Sequence, residues 1–167
     1  DLISRVIKLA TWSNISHVGI LISETELIES TVNTHQIGVK INSLADKVKE
    51  YNGSIWQLQL LNITRHQQNV LVDYLLKQQG SIYDPFEAVE AGLVKYLPFL
   101  RSYFTDNKSR FFCSELVSSA LVEANILPKW LKTSQVAPCD LISFNIYKKC
   151  VLLKGKGMPT KFNGRLQ

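Results

Sequence analysis

The sequence predicts an α+β fold, and three observations predict it. Residues 16–22 and 27–32, with a further piece at 37–41, alternate apolar and polar side chains and are rich in β-branched residues, as strands of an antiparallel meander do. Residues 64–79 and the stretch from Phe111 to Ala124 return apolar side chains at helical spacing. Helices set beside an antiparallel sheet, rather than regular strand–helix–strand units, place the chain in the α+β class.

The elements follow in order. Leu2, Ile3, Val6, Ile7 and Ala10 share a helical period with Arg5 and Lys8 between them, which predicts a short first helix. In SHVGILI (16–22), Val18, Ile20 and Ile22 alternate with His17, Gly19 and Leu21, which predicts a strand. A polar break at 23–25 leads to the strand at 27–32, and Asn33 and Thr34 separate it from the extended piece at 37–41. Residues 42–51 read as a short helix or turn, and SIWQLQLL (54–61) alternates as a strand. Thr64 is placed to cap a helix over 64–79, with Val70, Leu71, Tyr74 and Leu75 on one face and Gly80 as its end. Pro85 and Pro98 bracket a helical run within 83–107 that closes on a polar loop. From Phe111 onward, Cys113, Leu116, Val117, Ala120, Leu121 and Ala124 share one helical face, and Asn125 ends that helix. Pro128 and Pro138 read as loop positions, and the alternation over 141–153 predicts a final strand pair.

The 167 residues carry 46% hydrophobic and 20% charged side chains. That is enough apolar material for one sizeable core, so residues 1–167 are expected to form a single domain. Charged residues interrupt every hydrophobic run, so none reaches the roughly 18 residues that cross a bilayer. The net charge of +5 is uneven. No acid follows Asp140, whereas Lys148, Lys149, Lys154, Lys156, Lys161 and Arg165 do. This basic end suits an anionic surface or a solvated face, and no specific nucleic-acid binding is expected from it. Three widely spaced cysteines suit neither a disulfide scaffold nor a CxxC metal site, and Cys139 and Cys150 read as small buried hydrophobes. The histidines are scattered and no HExxH, Walker, dinucleotide or GxSxG pattern occurs, so neither a metal nor a cofactor is expected.

The chemistry-bearing candidates are Cys113, His17 and Glu29. Cys113 begins the late helix, where unpaired amides and the helix dipole favour a thiolate. His17 interrupts an otherwise aliphatic strand, and Gly19 on the same face leaves room beside its imidazole. Glu29 lies twelve residues further on. A three-residue loop at 23–25 would put it on the same sheet face, diagonal to His17 and in reach of it. A carboxylate there would hold the imidazole tautomer, as in thiol and serine hydrolases. Taken singly, each residue has an ordinary reading: a buried structural thiol, a strand-surface histidine and an exposed strand acid. His35 and His66 fall in a loop and on a helix surface.

These motifs resemble the circularly permuted branch of the NlpC/P60 papain-like superfamily, close to the YaeF/YiiX-like proteins. In that group a His-bearing strand comes first and the nucleophilic Cys comes late, on a helix. SHVGILI is similar to the family's His strand, ELIEST (26–31) to the strand with the third polar residue, and IGVKINSL (37–44) to the segment after it. GSIYDPF (80–86) resembles its Gly-x-x-Tyr-Asp element, and FFCSELV (111–117) its Cys helix. The likeness runs over about residues 2–144. Residues 1–167 open at the helix before the His strand, so a leading family strand is either missing or contributed by residues outside them, and the segment between Tyr83 and Cys113 is long.

The resemblance implies a permuted papain-like fold, an antiparallel sheet packed against the helix that bears the nucleophile. It implies Cys113 as nucleophile, His17 as base, Glu29 as orienting residue and Tyr83 as an oxyanion contributor. The expected activity is that of a cysteine hydrolase, an amidase or peptidase acting on an amide or acyl bond, such as one in a cell-wall peptide or a lipid. Two alternatives stand beside it. One is a thiol-dependent acyltransferase or phospholipase like the lecithin:retinol acyltransferase enzymes, in which the third polar residue is usually histidine where this chain has Glu29. The other is a binding module without turnover.

Overall fold

The computed structural model describes Lys8 and residues 13–32, 37–81 and 113–162. The expected first helix, apart from Lys8, and the expected helix and loop over 83–107, with Tyr83, lie outside the described residues, as does His35. What is described is a mixed α+β arrangement: small antiparallel sheets with helices packed on them.

Three strands, β1 (Ile20–Leu21), β2 (Glu26–Val32) and β3 (Ile37–Ser43), form a meander in the order β1-β2-β3. Ile20 pairs with Ile28 and Leu21 with Leu27. The Ile22 amide donates to the Glu26 carbonyl at 3.0 Å, so the connecting loop is the three residues 23–25. The Ser23 hydroxyl accepts from the amides of Thr25 and Glu26 at 3.3 and 3.1 Å, a local turn bond that holds the loop length. Loop length sets register, and register decides which side chains face the core. Here Ile28 and Val39 face it, packed with Leu116, Val117, Ala120 and Leu121. Glu29, one residue on from Ile28, is carried to the opposite face.

The first strand is shorter than its alternation predicts. Residues 15–19 are not in the ladder, which starts at Ile20. A glycine within a strand pattern marks a close backbone approach. At Gly19 a Cβ would stand 3.1 Å from both the Glu29 Cβ and the Ile28 carbonyl oxygen. The chain is drawn in against β2 there, ahead of the ladder.

β3 runs two residues beyond its expected end and passes directly into α1 (Leu44–Glu50), capped by the Ser43 hydroxyl, which accepts from the Asp46 amide at 3.3 Å. Next come β4 (Ile55–Leu60) and α2 (Arg65–Lys77). Thr64 caps α2 in a reciprocal box: its hydroxyl accepts from the Gln67 amide and the Gln67 side chain accepts from the Thr64 amide. After α2 the chain turns at Gly80, φ +86°, and exchanges hydrogen bonds with Val39 on β3 through Gly80 and Ser81. That return stitches the end of α2 to the sheet.

α3 (Cys113–Glu123) is the central helix. Leu116, Val117, Ala120, Leu121 and Ala124 are buried on the predicted face, against Leu71 and Leu75 of α2 on one side and Ile28 of β2 on another. Fully burying one such leucine stabilises the fold by about 1.5–3 kcal/mol relative to leaving it exposed. The helix stops at Asn125, φ +51°. The Ile126 amide bonds the Leu121 carbonyl and the Asn125 amide bonds the Val122 carbonyl, the paired closure of a Schellman end.

The C-terminal part departs from expectation. Residues 141–153 form no strand pair of their own. Pro138 opens a short helix, α4 (Pro138–Ser143), in which Asp140 accepts from the Ala137 amide. Proline at a first helical position loses no hydrogen bond, which is why a residue read as a loop marker begins a helix. The one strand that follows, β5 (Tyr147–Lys154), pairs antiparallel with the distant β4, giving a second, two-stranded sheet. Cys139 and Cys150 are buried free thiols.

Candidate functional site

His17 lies in the extended run that precedes β1, and its place is set from both sides. Upstream, Asn14 is clamped to the C-terminal segment: its side chain donates to the Met158 carbonyl at 2.7 Å and accepts from the Thr160 amide and hydroxyl at 2.8 and 2.6 Å. Downstream, the Gly19 approach and the β1–β2 ladder hold the chain against Glu29.

The imidazole Nε2 stands 2.6 Å from Glu29 Oε2. Cys113 acts on the same ring, favouring its protonated form through its charge and hydrogen-bonding. With Nε2 engaged by the carboxylate, Nδ1 is the nitrogen left for the sulfur. The structure thus brings together the three residues singled out above, from the segment before β1, from β2 and from the first residue of α3. Cys113 is 2% exposed, Glu29 1% and the His17 side chain 35%.

Glu29 is a buried anion with an ample set of partners. Besides His17 at Oε2, its Oε1 accepts from Asn42 Nδ2 at 2.8 Å and from Lys47 Nζ at 2.5 Å. Burial alone would push the carboxyl's pKa up. The His17 bond and charge, then those of Lys47, override it and bring the value down to about 2. His17 shows the mirror image. Burial works against its charged form, yet the charge and hydrogen bond of Cys113, followed by those of Glu29, raise it to about 10. The imidazole therefore holds its proton across the neutral range.

Asn42 and Lys47 were not singled out by sequence reasoning, since residues 42–51 carried no sharper reading than a helix or turn. The β2–β3 register provides the missing signal. Glu29 faces Lys40 across the ladder, so Asn42 is its diagonal neighbour on the same face. Lys47 follows from the Ser43 cap, which starts α1 at Leu44 and carries its first turn back over that face.

The other candidates stand apart. His66 is exposed on α2, and Tyr83 lies outside the described residues. Lys154, one of the basic C-terminal run, is committed to the fold: its ammonium donates to the carbonyls of Val48 and Lys49 at 2.6 and 3.0 Å, at the end of α1. Among the described residues, no group of three or more His, Cys, Asp or Glu could hold a metal ion, and no helix is long and apolar enough to cross a membrane. An open groove of about 600 Å³ beside α2, lined by Ile22, Arg65, Gln68, Asn69, Val72 and Asp73, shares no residue with the Cys113 set. In comparisons with known proteins, no family model matches the chain, and neither a curated protein nor a solved structure matches it.

Proposed function

We propose that this chain is a cysteine hydrolase of the amidase or peptidase kind, built on a permuted papain-like fold. One observation carries the reading: a single imidazole bonded through Nε2 to a buried carboxylate and coupled to a thiol at the first residue of a helix. A thiol needs a base, and a base acts best when a third group fixes its tautomer. In the proposed reaction the imidazole of His17 already carries its proton beside the Cys113 sulfur, and the thiolate attacks the substrate carbonyl carbon. The protonated imidazole then gives that proton to the leaving amine as the carbon–nitrogen bond breaks, leaving a thioester on Cys113. Water, deprotonated by His17, attacks the thioester; the carbon–sulfur bond breaks and the thiol is regenerated with release of the acid. The first amides of α3, which a helix leaves without intrahelical partners, would serve as donors for the oxyanion, with Tyr83 as a further contributor implied by the family resemblance. Trapping from a mixed amide and lipid extract tests the scheme. The wild-type chain should carry an acyl mass on Cys113, and Cys113→Ala should carry none and lose turnover. Full turnover in Cys113→Ala would remove the hydrolase reading.

A second reading gives the acyl group to a lipid or an amine instead of water. The observation in its favour is Trp130, 81% exposed and flanked by Lys129 and Lys132, a combination suited to the headgroup layer of an anionic membrane. Flotation with anionic liposomes separates the two. Co-flotation that Trp130→Ala abolishes favours transfer at a lipid surface, and a chain that stays in the aqueous fraction favours hydrolysis in solution.

A further inference from the structure

The proposed triad leaves one strong contact unused, the Lys47 ammonium 2.5 Å from Glu29 Oε1. Glu29 is 1% exposed and the Lys47 side chain 28%, so this is no surface pair of negligible worth. A carboxylate taken out of water needs its lone pairs occupied and its charge balanced, or it protonates. Lys47 and Asn42 occupy Oε1, which leaves Oε2 free to face His17. We propose that Lys47 is a positioning residue of the Cys113 site: it keeps Glu29 ionised and oriented, so that His17 presents Nδ1 to the thiol. The inference rests on the hydrolase reading for its role in turnover, and on geometry for its action on Glu29.

The groups that face Glu29 support this assignment. From the segment before β1 comes His17, from β3 come Lys40 as cross-strand neighbour and Asn42, and from α1 comes Lys47. Ion pairs with Glu29 are made by His17 and Lys47 among the described residues. Asn42 donates a hydrogen bond without charge. Lys47 therefore supplies the positive charge that remains when His17 gives up its proton in the acylation step. Without it the buried carboxylate would lose its counter-charge at that moment and would tend to take the imidazole's proton.

The test compares the wild-type chain with Lys47→Met, which keeps the aliphatic stem, and Lys47→Arg, which keeps the charge. Side-chain NMR follows the Glu29 carboxyl and the His17 ring nitrogens against pH, and site-resolved alkylation by iodoacetamide follows Cys113. Lys47→Met is expected to move the Glu29 midpoint up by about one pH unit, a tenfold change in proton affinity. It should also weaken the preference for a proton on His17 Nε2 and slow Cys113 alkylation relative to wild type. Lys47→Arg should return all three toward wild type. Should Lys47→Met fail to fold, Lys47→Gln, a neutral donor, decides by the same readouts. Unchanged Glu29 and His17 titrations in the neutral variant overturn the proposal. Turnover that survives Cys113→Ala fails the hydrolase reading instead, and the Glu29 titration still decides whether Lys47 governs that carboxylate.

Discussion

At the scale of single residues, the site depends on a glycine as much as on its polar groups. Gly19 is not at a left-handed φ; its value is space. A methyl group there would meet the Glu29 Cβ and the Ile28 carbonyl at 3.1 Å, closer than van der Waals contact allows without movement. The Ile28 backbone is fixed by the ladder, whereas residue 19 precedes it, so the segment that carries His17 and the Glu29 stem are the parts that yield. Gly19→Ala is therefore expected to lengthen the His17–Glu29 contact and lower the His17 titration midpoint, read by NMR, while the helices keep their circular dichroism signal. An unchanged midpoint would show that the close approach does not tune the pair. The proximity of His17 and Glu29 was legible beforehand because parity and loop length are simple: twelve residues apart, with a loop of three. Lys47 was not legible, because its reach depends on where Ser43 starts a helix, and hydrophobic period cannot resolve that to one residue.

At the scale of elements, strong local signals and actual structure agree where sequence carries both a period and a cap. α2 has Thr64 and Gln67 at its start and a buried Leu71–Leu75 stripe. α3 has an apolar face and Asn125 at its end. Removing the α2 cap by Thr64→Ala should cost about 1 kcal/mol, since the Gln67 amide loses its acceptor. For a chain of this size that corresponds to a melting point about 2–4 °C lower, measured by thermal denaturation. The His17 titration should be untouched, which makes this variant the control for Gly19→Ala. The C-terminal elements were misread for a physical reason. β5 finds its partner about ninety residues earlier in β4, and alternation reports that a strand exists without reporting what it pairs with. The α4 helix is six residues long, too short to show a period, and its opening proline reads as a turn when taken without its neighbours.

At the scale of the whole molecule, the pair made by buried Glu29 and partly exposed His17 ties stability to pH. Glu29 has a folded pKa near 2 against an ordinary 4.5, so its stabilisation is present above 4.5 and is lost as pH falls toward 2. His17 has a folded pKa near 10 against 6.5, so its contribution is complete below 6.5 and is lost as pH rises through 10. The urea midpoint should therefore be flat between about pH 4.5 and 6.5 and decline on both sides. Tyr147, whose phenol is pushed up by burial, adds to the loss only above pH 10. A midpoint that rises steadily from pH 6.5 to 9 would contradict this assignment. The clamp from Asn14 to Thr160 gives the C-terminal segment a place in the same account, because it holds the residues just before His17.

The claim beneath all of this is that the Cys113 sulfur, almost a hundred residues away in sequence, acts on the His17 imidazole. The direct measurement is the ring titration of His17 by NMR in the wild-type chain and in Cys113→Ala. The account predicts a wild-type imidazole that stays protonated to about pH 10 and a midpoint that falls when the sulfur is removed. A midpoint near 6.5 that is the same in both chains would mean that Cys113 and His17 do not act on one another.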